Sequence, residues 1–278
     1  MSHFLGYRRP DGSAGIRNWV LVIPAQRELN LLAVKIAEIV NGTKSVAAGT
    51  GEAGRPRKDR ETIARTLIGM GKNPNTAAVL IVGGKTGVGY PELRTEILAE
   101  KIAESGKAVK VITLSDEGGF YRALGEGIRV ARDLVAAASD ARREPCPLSQ
   151  LHLGVKCGMS DATSGIAGNP VIGAMFDTVV RAGGTCFFSE TTEIIGAEHL
   201  LVKRAANPDV ARAILEAVRL AEDKAKATGE DIRTINPIPA NIAAGITTLE
   251  EKSLGAIAKA GSEPVPGISL ISPAIGTT

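Results

Sequence analysis

Three stretches of this 278-residue chain carry chemically capable groups, the first at a density that a plain connector does not need. The first, Lys156-Cys-Gly-Met-Ser-Asp-Ala-Thr-Ser-Gly-Ile-Ala-Gly-Asn-Pro170, sets a thiol, three hydroxyls, a carboxylate and an amide among glycines that let backbone N–H groups approach a ligand. Asn169 before Pro170 also has the form of a helix N-cap with proline at N1, and Ser164 has a weaker structural reading of the same kind. The second, Ser189-Glu-Thr-Thr-Glu-Ile-Ile-Gly-Ala-Glu-His199, brings Glu190 and Glu193 to the end of an apolar run, with Glu198 and His199 one short turn later. Carboxylates beside an imidazole can bind a divalent cation or transfer protons, and a capped helix with charged ends explains the pattern equally well. The third runs from Asn241 to Lys252, where Thr247 or Thr248 with Glu250 or Glu251 forms a capping box and Asn241 sits on a glycine-containing loop.

These stretches need elements to position them. From residue 19 to about 138, short apolar runs alternate with longer amphipathic ones, the pattern of a parallel sheet covered by helices. Strands are expected at Trp19–Ile23, Ser45–Ala47, Ala77–Val82 and Ala108–Thr113, and helices at Leu29–Val40, Asp59–Met70, Pro91–Ser105 and Phe120–Ala138, with Gly42, Gly71 and Gly106 as helix stops. Charge and two prolines in Asp140–Pro147 predict a linker. A second α/β unit then has strands near Leu151–Lys156 and Gly184–Phe188 and helices near Pro170–Arg181, Pro208–Thr228 and Leu249–Ala260, with Glu230–Gly245 an ordered loop. The expected architecture is α/β: a Rossmann-like parallel-sheet domain over residues 1–140, then a second α/β domain over 148–278 carrying the motifs.

Other signals are weaker. Gly49-Thr-Gly-Glu-Ala-Gly54 is a literal GxGxxG, yet it follows the second strand, and the next strand ends in Gly83-Gly-Lys85 without a ribose-binding acid. Gly84-Lys-Thr86 lacks the leading glycine of a P-loop. Arg55–Arg60 reads as a solvated helix entrance, and His3 and His152 as incidental. Net charge is +3, from 33 basic and 30 acidic residues, and aromatics make up 3%, so neither a polyanion surface nor a base-stacking platform is expected and nucleic acid is a poor partner. No apolar run approaches the ~18 residues that span a bilayer, the N-terminus lacks a signal-peptide core, and three widely spaced cysteines suggest no disulfide framework. A cytoplasmic protein without membrane contact is expected.

The three stretches, with the opening Gly6-Tyr-Arg-Arg-Pro-Asp-Gly-Ser-Ala-Gly-Ile-Arg-Asn-Trp-Val-Leu-Val-Ile-Pro24, resemble the altronate/galactarate dehydratase family, and within it most closely the large (beta) subunit of its sulfolactate sulfo-lyase branch. The resemblance runs to about Gly261. It implies a lyase that removes the proton alpha to a carboxylate and expels a beta leaving group, water from sugar acids or sulfite from 3-sulfolactate. It further implies a divalent metal, commonly Fe(2+), and, since no SAF domain precedes Gly6, a separate small SAF-domain subunit in an oligomer. An enediolate needs a base and a positive or N–H-rich environment. Glu190, Glu193, His199 and Lys156 are therefore the expected catalytic groups, with Glu193, Glu198 and His199 as metal contacts. Arg17, Asn18, Cys157, Ser160, Asp161, Thr163, Ser164, Asn169 and Asn241 are the expected binders of a small anionic substrate.

The sugar-acid branch carries Cys and His in segments that here read Ala25-Gln-Arg-Glu28, Gly49–Arg55 and Gly83-Gly-Lys85. Their loss favours a short sulfonated or related 2-hydroxy acid. After Gly261 the family continues into a further glycine-rich segment, whereas Ser262-Glu-Pro-Val-Pro-Gly267 leads to a stop at Thr278, so the chain is expected to be short for the family. A sugar-acid dehydratase and a catalytically silent scaffold or acid binder are the alternatives.

Overall fold

The computed structural model describes residues 3–48 and 55–268; the Gly49–Gly54 motif and the segment after Ile268 lie outside them. The chain is mixed α/β and forms two compact units, the first from His3 to Cys146 and the second from Pro147 onward.

The first unit opens with strands β1 (His3–Arg8) and β2 (Ala14–Gly15), an antiparallel pair closed by a turn in which Asp11 Oδ1 accepts hydrogen bonds from the Ser13 amide (2.9 Å) and hydroxyl (2.6 Å). Then come β3 (Trp19–Pro24), α1 (Asn30–Ile39), β4 (Thr43–Ser45), α2 (Arg57–Lys72), β5 (Thr76–Gly83), α3 (Thr95–Ala103), β6 (Ala108–Thr113), α4 (Phe120–Ala138) and β7 (Glu144–Pro147). The main sheet is parallel in the order β4-β3-β5-β6. Alternate residues supply its two cores: Val20, Val22, Leu80 and Val82 pack with Leu32, Ile36 and Leu134 on the α1/α4 face, while Leu21, Ile23, Val79 and Ile81 pack with Leu67, Leu98 and Ile102 on the α2/α3 face. Covering both faces explains why these strands read as unbroken apolar runs. Each such side chain taken fully from water contributes about 1.5–3 kcal/mol.

The second unit has a two-stranded parallel sheet, β8 (His152–Val155) and β9 (Thr185–Phe188), connected by α5 (Asn169–Arg181). It continues through α6 (Glu198–Lys203), α7 (Pro208–Lys226), α8 (Ile232–Ile235), α9 (Pro239–Ala243) and α10 (Leu249–Ile257). Its core joins Ile194, Ile195, Leu201, Ile214, Val218, Leu249 and Ile257. The helix α5 lies so close to the turn after α10 that a Cβ on Gly173 would stand 2.2 Å from the Ala258 carbonyl oxygen.

Four local expectations change. Gly71 does not stop α2 but lies inside its last turn, where a Cβ would meet Ile102 Cδ1 at 2.6 Å, so the glycine serves helix–helix packing. Residues Glu144–Pro147, expected in a linker, form a strand beside β1, leaving the interruption shorter. The expected loop 230–245 contains α8 and α9, each too short to show a periodicity. Asn169 is helical and caps nothing; its Nδ2 donates to the Gly255 carbonyl at 2.8 Å.

Candidate active site

Parallel pairing of Val155 with Phe188 sets the carboxyl ends of β8 and β9 side by side, the place where α/β sheets hold ligands. Lys156 and Cys157 leave one strand there, and Ser189 and Glu190 leave the other. Glu190 has φ 79°, a left-handed backbone found at no other non-glycine among the described residues, and such a conformation costs about 1–3 kcal/mol. The strain turns the chain at once into the tight turn Thr191–Glu193, closed by the Glu193 amide donating to the Glu190 carbonyl at 3.0 Å.

This turn buries Glu193. Its Oε2 accepts from Lys259 Nζ at 2.6 Å, with both side chains about 5% exposed, while its Oε1 is buried with no hydrogen-bond partner. Burial pushes the Glu193 carboxyl pKa up, and neighbouring Glu190 adds to this; the Lys259 ammonium and, more weakly, Lys252 pull the other way. Lys156 Nζ lies 3.0 Å from Glu190 Oε1, and this carboxylate holds the lysine above its ordinary pKa, so Lys156 stays cationic. One donor atom each from Cys157, Glu190 and Glu193 all lie within 4.8 Å of one another. A thiol and two carboxylates that close together fit a divalent transition ion better than a hard ion such as magnesium, and the orphaned Glu193 oxygen is an acceptor waiting for a ligand or a proton.

Beside this corner, the loop after Cys157 is braced from within. Cys157 Sγ and Ser160 Oγ are 3.4 Å apart, and Asp161 Oδ1 accepts from Thr163 Oγ1 at 2.7 Å and from the Ser164 amide at 2.9 Å. These bonds, Thr163 first, hold the Asp161 pKa below its usual range. Buried Asn241 donates from Nδ2 to the Ser160 carbonyl (3.0 Å) and accepts at Oδ1 from Lys252 Nζ (2.9 Å). Ser160, Asp161, Ser164, Asn169 and Lys252 line a cavity of about 290 Å³, a size for a small acid. Thr248 is the N-cap of α10, accepting from the Glu251 amide, and Glu251 Oε2 accepts from the Thr247 amide at 2.7 Å, so the capping box is real.

The structure thus gathers Lys156, Cys157, Ser160, Asp161, Thr163, Ser164, Asn169, Glu190, Glu193 and Asn241 around one corner of the second unit. Glu198 and His199 stand outside the metal-competent group, which takes Cys157 and Glu190 with Glu193 instead. At Glu198, burial opposes ionisation, yet bonds from the Gly196 amide (2.5 Å) and Arg233 (3.0 Å) hold its pKa low. His199 is exposed on α6. Arg17 and Asn18 belong to the first unit, where buried Arg9 donates to Asn18 Oδ1 (2.8 Å) and to the Arg17 carbonyl (2.7 Å), while Asn18 Nδ2 donates to the Ala138 carbonyl (2.7 Å). Both ends of the Asn18 amide are therefore committed to the fold, whereas the Arg17 side chain is exposed.

Two residues escaped sequence reasoning. Lys259 carries a readable signal, a lone cation in the small and apolar run Leu254–Ala260, which must find polar partners if that run is buried. Lys252 follows two glutamates at a helix start and carries none.

Two family models match the chain: D-galactarate dehydratase/altronate hydrolase, second domain, over residues 6–139, and D-galactarate/altronate dehydratase, C-terminal, over residues 148–275. Among curated relatives, the (2R)-sulfolactate sulfo-lyase subunit beta of Chromohalobacter salexigens is 38% identical, over 93% of this chain and 64% of that protein. The altronate dehydratase of Bacillus subtilis is 32% identical over 95% of this chain and 54% of its own length. The galactarate dehydratase (L-threo-forming) of Escherichia coli is 34% identical over 75% of this chain and 40% of its own length. The chain therefore spans less than two thirds of each of these relatives.

Proposed function

The chain belongs to the D-galactarate/altronate dehydratase family, and from that membership we propose that it serves as the large subunit of a metal-dependent lyase that eliminates sulfite from a small sulfonated 2-hydroxy acid. The observation that carries this reading is the buried, proton-avid Glu193 with one unpartnered oxygen, beside a thiol and a second carboxylate.

A divalent cation, Fe(2+) in our reading, would be held by Cys157 and Glu190 and would supply Lewis-acid stabilisation of the charge that develops on the substrate carboxylate. The chain's own groups do the rest. Lys259 fixes Glu193 through Oε2 and leaves Oε1 as the acceptor for the α-proton. Burial makes that carboxylate a stronger base than an exposed one, and a positioned base is typically worth about 10²–10⁴-fold in rate. Lys156 stays cationic and paired with Glu190 at the edge of this group. The α C–H electrons are held as the enediolate and then collapse into a Cα=Cβ double bond as the β C–S bond breaks, sulfite leaves with the C–S electron pair, and the enol product tautomerises to pyruvate. The Ser160 hydroxyl supplies a donor for the departing group, while those of Thr163 and Ser164 donate to Asp161 and brace the loop. A separate small SAF-domain subunit completes the enzyme, and we place it in the cytoplasm, in keeping with three unpaired cysteines.

The altronate and galactarate dehydratases among the relatives favour a second reading, a sugar-acid hydro-lyase. The two separate in a competition assay. The full-length protein with its small subunit and Fe(2+) is offered 3-sulfolactate and altronate together. Sulfite and pyruvate are expected to dominate; 2-keto acid from altronate alone would move the assignment to the hydro-lyase.

A further inference from the structure

Three lysines surround the site, and two of them spend their charge on carboxylates: Lys156 on Glu190 and Lys259 on Glu193. Lys252 is different. Its half-buried ammonium donates to two neutral amide oxygens, Asn236 Oδ1 at 2.7 Å and Asn241 Oδ1 at 2.9 Å. Asn241 is itself buried and tied to the Ser160 carbonyl, so the clamp fixes the ammonium without neutralising it. Among the described residues, no carboxylate oxygen lies within ion-pair distance of Lys252. An ammonium has three N–H donors; two are used, and the side chain lines the 290 Å³ cavity. The cavity's carboxylates are taken elsewhere, Asp161 by Thr163 and Ser164, and Glu251 by Thr247.

Resting on the lyase reading above, we infer that Lys252, held by Asn236 and Asn241, is the anion anchor of this cavity and binds an oxyanion of the substrate, carboxylate or sulfonate. A charge that is desolvated and positioned but unpaired gains more from a ligand oxyanion than a lysine that must first leave a carboxylate. The substrate class follows: an acid small enough for this cavity with an oxyanion that reaches Lys252.

The test is titration calorimetry on the full-length protein loaded with Co(2+), using 3-sulfolactate, lactate (carboxylate alone) and isethionate (sulfonate alone) as probes, with wild type, Lys252→Met and Lys252→Gln. Lys252→Gln keeps a donor for the clamp and removes only the charge. The expected result is a 10- to 100-fold weaker affinity of both variants for 3-sulfolactate, with cobalt binding and its absorption spectrum unchanged. Loss confined to lactate assigns the carboxylate to Lys252, and loss confined to isethionate assigns the sulfonate. Wild-type affinity for 3-sulfolactate in either folded variant overturns the anchor and leaves the lyase reading standing. Failure of wild type to bind any of the three acids overturns both.

Discussion

At the residue scale, the site turns on one buried ion pair. Removing a partner from such a pair leaves an uncompensated charge, which commonly costs about 3–5 kcal/mol. Lys259→Met is therefore expected to lower the unfolding free energy by roughly that amount, as measured by urea denaturation. The loss is expected to shrink in the double variant Lys259→Met/Glu193→Gln, because the orphaned charge goes with the glutamate. The sequence displayed the acids of this site plainly, since Cys157 to Asn169 and Glu190 to Glu193 stand out by polar density next to short strands. It did not display their partners. Lys259, just after α10, lies 66 residues from Glu193, and Lys252 is held by two asparagines on the preceding segment, so a chain read linearly shows the cations but not what holds them. For the same reason Glu198 read as a ligand, although Arg233 and the Gly196 amide claim its two oxygens.

At the element scale, legibility followed burial. Strands β3 and β5 and helix α4 were plain because a sheet covered on both faces demands continuous apolar runs, and a long helix over it demands a stripe. The hairpin β1–β2 was not, because its strands are held by the Arg9 fan to Asn18, Arg17 and Pro74 rather than by an apolar pattern. Helices α8 and α9 hid for the complementary reason, being single turns set by packing. The end of α2 yields a pH prediction. Lys107, nearly buried, donates to the carbonyls of Gly71 (3.2 Å), Lys72 (2.6 Å) and Asn73 (2.6 Å), and burial, aided by the nearby Arg9 charge, brings its pKa down to about 8. The folded value lies below the ordinary 10.5, so the unfolded chain binds the proton more tightly between the two. The penalty is full below pH 8 and gone above pH 10.5; stability from this group rises with pH across that window. Relative to Lys107→Met, the wild type is expected to gain roughly 3 kcal/mol at most between pH 7.5 and 10.5. A pH-independent difference between the two proteins would sink this account of the α2 end.

At the scale of the whole molecule, the two units match two consecutive family domains, and the chain spans 64% of the sulfo-lyase subunit it resembles and 54% of the Bacillus subtilis altronate dehydratase. The composition agrees with the site: few aromatics and a nearly balanced charge suit a cavity lined by hydroxyls, amides and one clamped lysine. No described helix is long and apolar enough to cross a membrane. The central claim, that Glu193 removes the α-proton of a sulfonated 2-hydroxy acid beside a cation on Cys157 and Glu190, meets its most direct test in one comparison. Wild type and Glu193→Gln, each as the full-length protein with its small subunit and Fe(2+), are given 3-sulfolactate, and sulfite and pyruvate are followed together. The account predicts equimolar sulfite and pyruvate from wild type, and a rate at least about 10²-fold lower from Glu193→Gln with iron still bound. Undiminished turnover by Glu193→Gln would contradict it.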